Sequence, residues 1–284
     1  MKKIALLFCL FILIVSCRQA PKVEPPVVNA VPAEWELPKL PANEEFVIRK
    51  TFKGAMRTCE FSAIILHYLE VKYKIPKDKV LMGVSTCVDD IIYTKNFHSN
   101  PNIKGLFHLG GLAGLPFTGV SGLGALSHHI PEGGTMLLLL EPHIGYSADK
   151  GWGYILRYDQ HAPSTCCGAL MGTLSKLKDN KLTGKVSDED YQADKIGQFA
   201  LEHKDQILKA DIPIVEFTKM ISRESEKQIR EHVMQVDMEH MNYIVILTGV
   251  LINTDYNYSD YQVIKHIVIY DVKKKTFTEE ILIP

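Results

Sequence analysis

The chain has 284 residues, of which 46% are hydrophobic and 23% charged, with a formal net charge of −1 at pH 7. That apolar share fits a packed globular chain and argues against a disordered one. The even balance of charge, with no long basic block, gives no footing for nucleic acid, and small molecules are the expected partners.

Residues 1–16 hold Lys2-Lys3 followed by apolar Ile4 to Val15, a run too short to span a bilayer, and read as a signal peptide. The junction Ile14-Val15-Ser16-Cys17 resembles a bacterial lipoprotein signal, in which cleavage before Cys17 leaves that cysteine acylated. The expectation is an exported lipoprotein of the bacterial cell envelope, anchored to a membrane through lipidated Cys17. Loss of Lys2 and Lys3 leaves 30 basic against 33 acidic residues, a charge of −3. Residues 17–43 carry Pro21, Pro25, Pro26, Pro32, Pro38 and Pro41, which favour extended geometry and predict a tether. Residues 44–284 are expected to form one α/β domain with a well-buried core.

Along that domain, Met56, Cys59, Phe61, Ile64, Ile65, Tyr68 and Val71 recur at helical spacing and predict a helix over 53–74, stopped at Ile75-Pro76. Apolar strands are expected at 80–86 and 135–140, separated by a Gly-rich stretch and a short helix around 125–129. A strand over 152–158 and a helix over 168–177 follow. Residues 188–209 and 216–236 read as helices divided at Asp211-Ile212-Pro213. Strands are expected at 243–251, 261–270 and 275–283, the middle one at an edge. This alternation predicts an α/β fold: a mainly parallel central sheet flanked by helices, with antiparallel strands added at the C-terminus.

Three residues stand where such strands and helices begin or stop. Cys87 follows the first buried strand and His143 the second; in open α/β sheets chemistry collects beyond the carboxyl ends of the strands. Cys167, after Cys166, opens a helix whose dipole favours a thiolate. Two thiolates and an imidazole with one position left for water suit a catalytic zinc ion. Cys166 remains an alternative ligand, and a Cys166-Cys167 disulfide an alternative state. A thiol oxidoreductase is disfavoured because no Cys-x-x-Cys motif is present. Gly110 to Gly124 has Gly114 and Gly119 at phosphate-loop spacing but no lysine after them, so the run reads as a close-packed loop that lets backbone approach a site. Thr118 and Ser121 are its candidate polar contacts. His128 and His129 are candidates to line a pocket, since adjacent helical side chains diverge and do not readily share a metal.

The strings Gly83-Val84-Ser85-Thr86-Cys87-Val88-Asp89-Asp90, Leu109-Gly110-Gly111-Leu112-Ala113-Gly114-Leu115-Pro116-Phe117-Thr118-Gly119, His128-His129-Ile130-Pro131, Pro142-His143-Ile144-Gly145 and Cys167-Gly168-Ala169 resemble, in order, those of the limiting CO2-inducible protein B/C family. The resemblance runs over about residues 45–284, including Gly249 to Thr254. It implies a fold similar to that of β-carbonic anhydrases, a homodimer, zinc held by Cys87, His143 and Cys167, and Asp89 as the catalytic carboxylate. The implied reaction is reversible hydration of CO2 to bicarbonate. Active members are expected to pair that aspartate with an arginine about a dozen residues downstream, and this chain has no arginine between Arg57 and Arg157. Asp89 is therefore expected either on the metal or bridged to Lys95, Lys104 or Arg157, with His98 a weaker candidate. The competing expectation is a catalytically weak or inactive lipoprotein that binds zinc or bicarbonate as a binding or assembly subunit.

Overall fold

The computed structural model describes residues 37–95 and 106–280; the signal peptide, Cys17, the tether up to residue 36, His98 and Lys104 lie outside the described residues. In chain order the elements are α1 (Ala42–Thr51), β1 (Met56–Arg57), α2 (Thr58–Tyr73), β2 (Val80–Thr86), α3 (Asp90–Lys95), β3 (Leu106–His108) and α4 (Gly119–His129). Next come β4 (Thr135–Glu141), β5 (His143–Ser147), β6 (Gly151–Trp152), β7 (Tyr154–Ile155), β8 (Ser164–Thr165) and α5 (Gly168–Lys178). The chain continues through α6 (Tyr191–Glu202), α7 (Lys204–Lys209), α8 (Pro213–Val233), β9 (Tyr243–Thr254), β10 (Tyr261–Asp271) and β11 (Thr276–Glu280).

The main sheet runs β1-β10-β9-β4-β2-β3. Strands β3, β2, β4 and β9 are mutually parallel, whereas β10 is antiparallel to β9, β1 and β11. The apolar run in β4 is buried at every position, as a parallel strand covered on both faces must be. On one face Leu123, Leu126 and Ile130 of the α4 region and Ile229 and Val233 of α8 pack on Met136, Leu138, Leu140, Ile244 and Ile246. On the other, Phe61, Ile65 and Leu69 of α2 cover Leu137, Leu139, Val245 and Leu247. A third apolar cluster, from α1, α5, α6 and the start of α8, closes around Cys87, Cys166 and Cys167. The fold is thus the mainly parallel, helix-flanked sheet with antiparallel C-terminal strands that the sequence pattern predicts.

Four expectations change. Strand β9 belongs to the parallel core, because it pairs with β4 from Thr135↔Tyr243 to Leu140↔Thr248. Strand β10 lies inside the sheet, with β9 on one side and β1 and β11 on the other. The strand expected at 152–158 is two short pieces interrupted at Gly153, whose φ of +90° breaks the extended run. The domain also begins before residue 44: α1 starts directly after Pro41, its acidic Glu44 and Glu45 near the N-terminus and Arg49 and Lys50 in the last turn suit the helix dipole, and Leu40, Ile48 and Phe52 are buried. The Ser259 backbone N–H donates to the Pro38 carbonyl at 3.0 Å and its hydroxyl to the Leu37 carbonyl at 2.9 Å, fixing the lead into α1.

Candidate metal centre

Strand β2 delivers Cys87 immediately after Thr86, and β4 delivers His143 two residues after Glu141, so both arrive at the carboxyl end of the parallel sheet. Cys167 arrives as the residue before α5, at the helix N-terminus. The three come together although they lie on separate segments: one donor atom from each of Cys87, His143 and Cys167 lies within 4.8 Å of the others, and all three residues are buried. The Cys87 and Cys167 sulfurs are 3.6 Å apart. Two thiolates on a tetrahedral zinc with bonds of about 2.3 Å should stand about 3.8 Å apart.

The imidazole is oriented from behind. His143 Nδ1 donates to Asn253 Oδ1 at 2.8 Å, and Nε2 is buried without a hydrogen-bond partner. A buried bare nitrogen beside two thiols is the arrangement a metal would satisfy. Cys166 takes the other side of the ring, with its sulfur 3.5 Å from Nδ1 and 3.8 Å from Asn253 Oδ1. Cys167, by contrast, faces Cys87. A second group of candidate donors, Asp89, His143 and Cys166, shares the same imidazole.

The charges within this cluster are strongly coupled. The hydrogen bond from Cys167 draws the Cys87 thiol down to about 4 against the opposing effect of burial, and the same bond together with burial drives Cys167 well above its ordinary value. The pair readily gives up one proton and resists losing the second. Burial disfavours a charged His143, but the sulfurs of Cys166 and Cys167 outweigh it and raise the imidazole. Burial raises the Cys166 thiol.

Asp89 reaches the cluster with Oδ2 3.7 Å from His143 Nε2, while its Oδ1 accepts from Arg157 Nη2 at 2.9 Å. Burial pushes this carboxyl up, but Asp90, His143 and Arg157 together hold it below its usual value. Arg157, one of the three cations proposed for Asp89, lies in the loop after β7 and bridges it. Its Nε donates to Asp90 Oδ1 at 3.2 Å, and Nη1 donates to the Ser164 hydroxyl at 2.7 Å and the Thr165 carbonyl at 3.1 Å. One guanidinium therefore ties the segment after Cys87 to the segment before Cys166 and Cys167.

The Gly-rich loop packs directly against the strand ends that carry the cluster. A Cβ on Gly110 would lie 2.1 Å from the Thr86 carbonyl oxygen, and Gly114, at φ +79°, packs closely enough that a Cβ there would lie 3.0 Å from the Pro142 Cα. The Gly114 carbonyl accepts from the Ser85 hydroxyl at 2.9 Å. Thr118, Ser121, His128 and His129 do not join the cluster and are exposed on or beside α4. The Thr118 hydroxyl donates to the Leu109 carbonyl at 2.9 Å. His128 and His129 end α4, which feeds the amino end of β4, whereas the cluster gathers beyond the carboxyl ends of β2 and β4.

Sequence reasoning missed two polar residues here, Asn253 behind His143 and its partner Asp260, whose Oδ2 accepts from Asn253 Nδ2 at 2.9 Å. The available signal was the abrupt end of an apolar run at Asn253.

The sequence matches the family of limiting CO2-inducible proteins B/C, β carbonic anhydrases, over residues 56–271. The crystal structure of PtLCIB4, a homolog of the limiting CO2-inducible protein LCIB, is similar with a TM-score of 0.71 at 23% identity, covering 83% of this chain and 99% of that one. The limiting CO2-inducible protein LCIB itself gives a TM-score of 0.64 at 17% identity, covering 84% of this chain and 99% of that one. No curated protein matches the sequence. With the family's sequence pattern running from β1 to the end of β10, and its fold around the thiol and imidazole cluster, the chain belongs to the limiting CO2-inducible protein B/C family of β-carbonic-anhydrase-like proteins.

Proposed function

We propose that this protein is a zinc-dependent carbonic anhydrase that interconverts CO2 and bicarbonate. The observation that carries the reading is the Arg157–Asp89 pair at 2.9 Å beside two facing thiols and the bare His143 Nε2. Cys87, His143 and Cys167 would hold the ion. Bound there, zinc would polarise a water for addition to CO2, and two thiolate ligands make that water less acidic than in a three-histidine site, so turnover is expected to rise toward alkaline pH.

The chain's own groups divide the remaining work. Arg157 engages one oxygen of Asp89 with a charge-assisted hydrogen bond and so restrains the carboxylate from turning fully onto the metal. The second oxygen, Oδ2, is left to accept a hydrogen bond and orient the reacting water. Asn253 holds the imidazole so that Nε2 faces inward. The apolar side chains around Cys87, among them Ile91, Ala113, Leu115 and Ile144, keep the cluster away from bulk water. An arginine supplied by the loop after β7 answers the absence of one about a dozen residues downstream of Asp89, which was the ground for a non-catalytic zinc-binding subunit.

The same reading includes a homodimer and attachment to a bacterial envelope membrane through lipidated Cys17. Among the described residues no helix is long and apolar enough to cross a membrane. The deciding experiment is stopped-flow CO2 hydration by reduced, zinc-loaded protein. Turnover that is absent across neutral and alkaline pH at one zinc per chain would replace this reading with the binding-subunit alternative.

A further inference from the structure

The chain of hydrogen bonds behind His143 has a direction, and a single buried carboxylate sets it. Asp260 is fully buried. Its Oδ1 accepts from the Thr254 backbone N–H at 2.8 Å, a donor that cannot reverse its role. Its Oδ2 faces the Asn253 side-chain amide at 2.9 Å. A carboxylate only accepts, so the amide must present Nδ2 to Asp260 and Oδ1 to the imidazole. The ring nitrogen 2.8 Å from that oxygen, Nδ1, must then carry the proton. When the ring is neutral it carries one N–H, and Nε2 is then left as a lone pair on the side where Asp89 Oδ2 lies at 3.7 Å.

The backbone holds each member of this series in place. Asn253 lies on β9 opposite Gly145 and Leu251 opposite His143, so the asparagine and histidine occupy neighbouring strands two positions out of step, on one face of the sheet. Asp260 is fixed through its carbonyl, which accepts from the Thr58 N–H at the start of α2 at 3.1 Å. The preceding Ser259 is tied to Leu37 and Pro38.

We propose that Asp260 is a positioning residue which, through the side-chain amide of Asn253, fixes His143 in its Nδ1–H tautomer and so presents a bare Nε2 to the metal position. The proposal rests on His143 being a metal ligand only for its consequence on zinc; the tautomer itself can be read without any metal.

Two substitutions test the direction of the relay. In Asp260→Asn the Thr254 N–H still requires an oxygen acceptor, so the new side chain must turn its NH2 toward Asn253. The Asn253 amide then reverses, its NH2 meets Nδ1, and His143 is driven to the opposite tautomer with a proton on Nε2. Adding Asn253→Asp restores an acceptor at 253 that takes both the Asn donor at 260 and Nδ1–H, with the total charge unchanged. The measurement is histidine side-chain 15N NMR of the reduced, chelator-treated full-length protein at a pH where the ring is neutral, with His143→Gln supplying the assignment. Zinc affinity is measured in parallel by competition with a chromogenic chelator.

Wild type should show Nδ1–H and the single variant Nε2–H with zinc affinity lower by about 10- to 100-fold, the usual cost of disturbing a ligand's outer partner. The double variant should return to Nδ1–H and regain affinity. Nε2–H in wild type, Nδ1–H retained in Asp260→Asn, or a folded double variant that fails to recover Nδ1–H would each overturn the relay. Should Asp260→Asn not fold, the double variant decides the question alone. If all tautomers follow the expected pattern while wild type takes up no zinc, the relay stands and the metal reading falls.

Discussion

Replacing Arg157 by alanine should slow CO2 hydration at neutral pH by about 30- to 150-fold. The guanidinium donates to Asp89 at 2.9 Å and to Asp90 at 3.2 Å, and the side chains of Arg157 and Asp89 are only 15% and 11% exposed. Hydrogen bonds to charged groups contribute about 1.5–3 kcal/mol, and breaking a fully buried pair costs about 3–5 kcal/mol. This partly shielded pair belongs near about 2–3 kcal/mol, which at about 1.36 kcal/mol per tenfold gives the stated range. The physical loss is control of Asp89: without the arginine its Oδ1 is released, and the carboxylate can swing toward the zinc and compete with water. Hydroxide competes better as pH rises, so the deficit should narrow toward pH 9. Arg157→Lys should fall between, because a lysine supplies a point charge in place of three nitrogens aimed at Asp89, at Asp90, and at the Ser164 hydroxyl and Thr165 carbonyl. Stopped-flow kcat/KM between about pH 7 and pH 9, on proteins of verified zinc content, is the assay. A zinc-replete Arg157→Ala enzyme within threefold of wild type at pH 7 refutes the clamp.

Elemental analysis of the reduced protein should find one zinc per chain and almost none in Cys87→Ala, since the remaining thiol and imidazole are too few to retain it; full retention in that variant would remove Cys87 from the centre. Cys17→Ser should abolish incorporation of labelled fatty acid, and unchanged labelling would end the anchoring proposal. Glu141 is fully buried, its carboxyl raised by burial from 4.5 to about 8, with Gln262 as its hydrogen-bond donor. The folded state then keeps a proton that the unfolded chain has lost, so Glu141 lowers stability as pH rises from 4.5 to about 8, by up to about 1.4 kcal/mol per pH unit. Glu141→Gln should remove that slope in urea denaturation, and an unchanged pH profile would show that Glu141 is not held protonated.

What could be read from the sequence followed local pattern. The apolar runs of β2 and β4 announce both the strands and their ends, and Cys87 and His143 follow directly from those ends. Cys167 was legible as a helix start, but that its sulfur faces Cys87 while that of Cys166 lies beside His143 Nδ1 is a property of the folded loop. Arg157 stands 68 positions from Asp89, in a loop with no periodicity, and no spacing rule measured from Asp89 reaches it. Its one mark is isolation, as the single arginine between Arg57 and Arg223. The parallel pairing of β9 was hidden for a related reason: α5 to α8 intervene before it, and neighbouring in the chain suggested a hairpin partner in β10 alone. Asp260 acts through Asn253 and never touches the ring, so its role existed only once three side chains could be followed in space.

The facing sulfurs of Cys87 and Cys167 are 80 positions apart along the chain. An ion gripping both would turn everything between them, including β4, β5 and His143, into a closed ring under mechanical load. Pulled by its ends, the zinc-loaded protein would pay out chain only outside that ring until the metal–sulfur grip failed. The 80 positions inside amount to about 270 Å of extended backbone, at about 3.3–3.6 Å each. Force spectroscopy with and without chelator should therefore record two extensions differing by about that length, making the ion a tensile fastener for a protein whose N-terminus is expected to be fixed to a membrane.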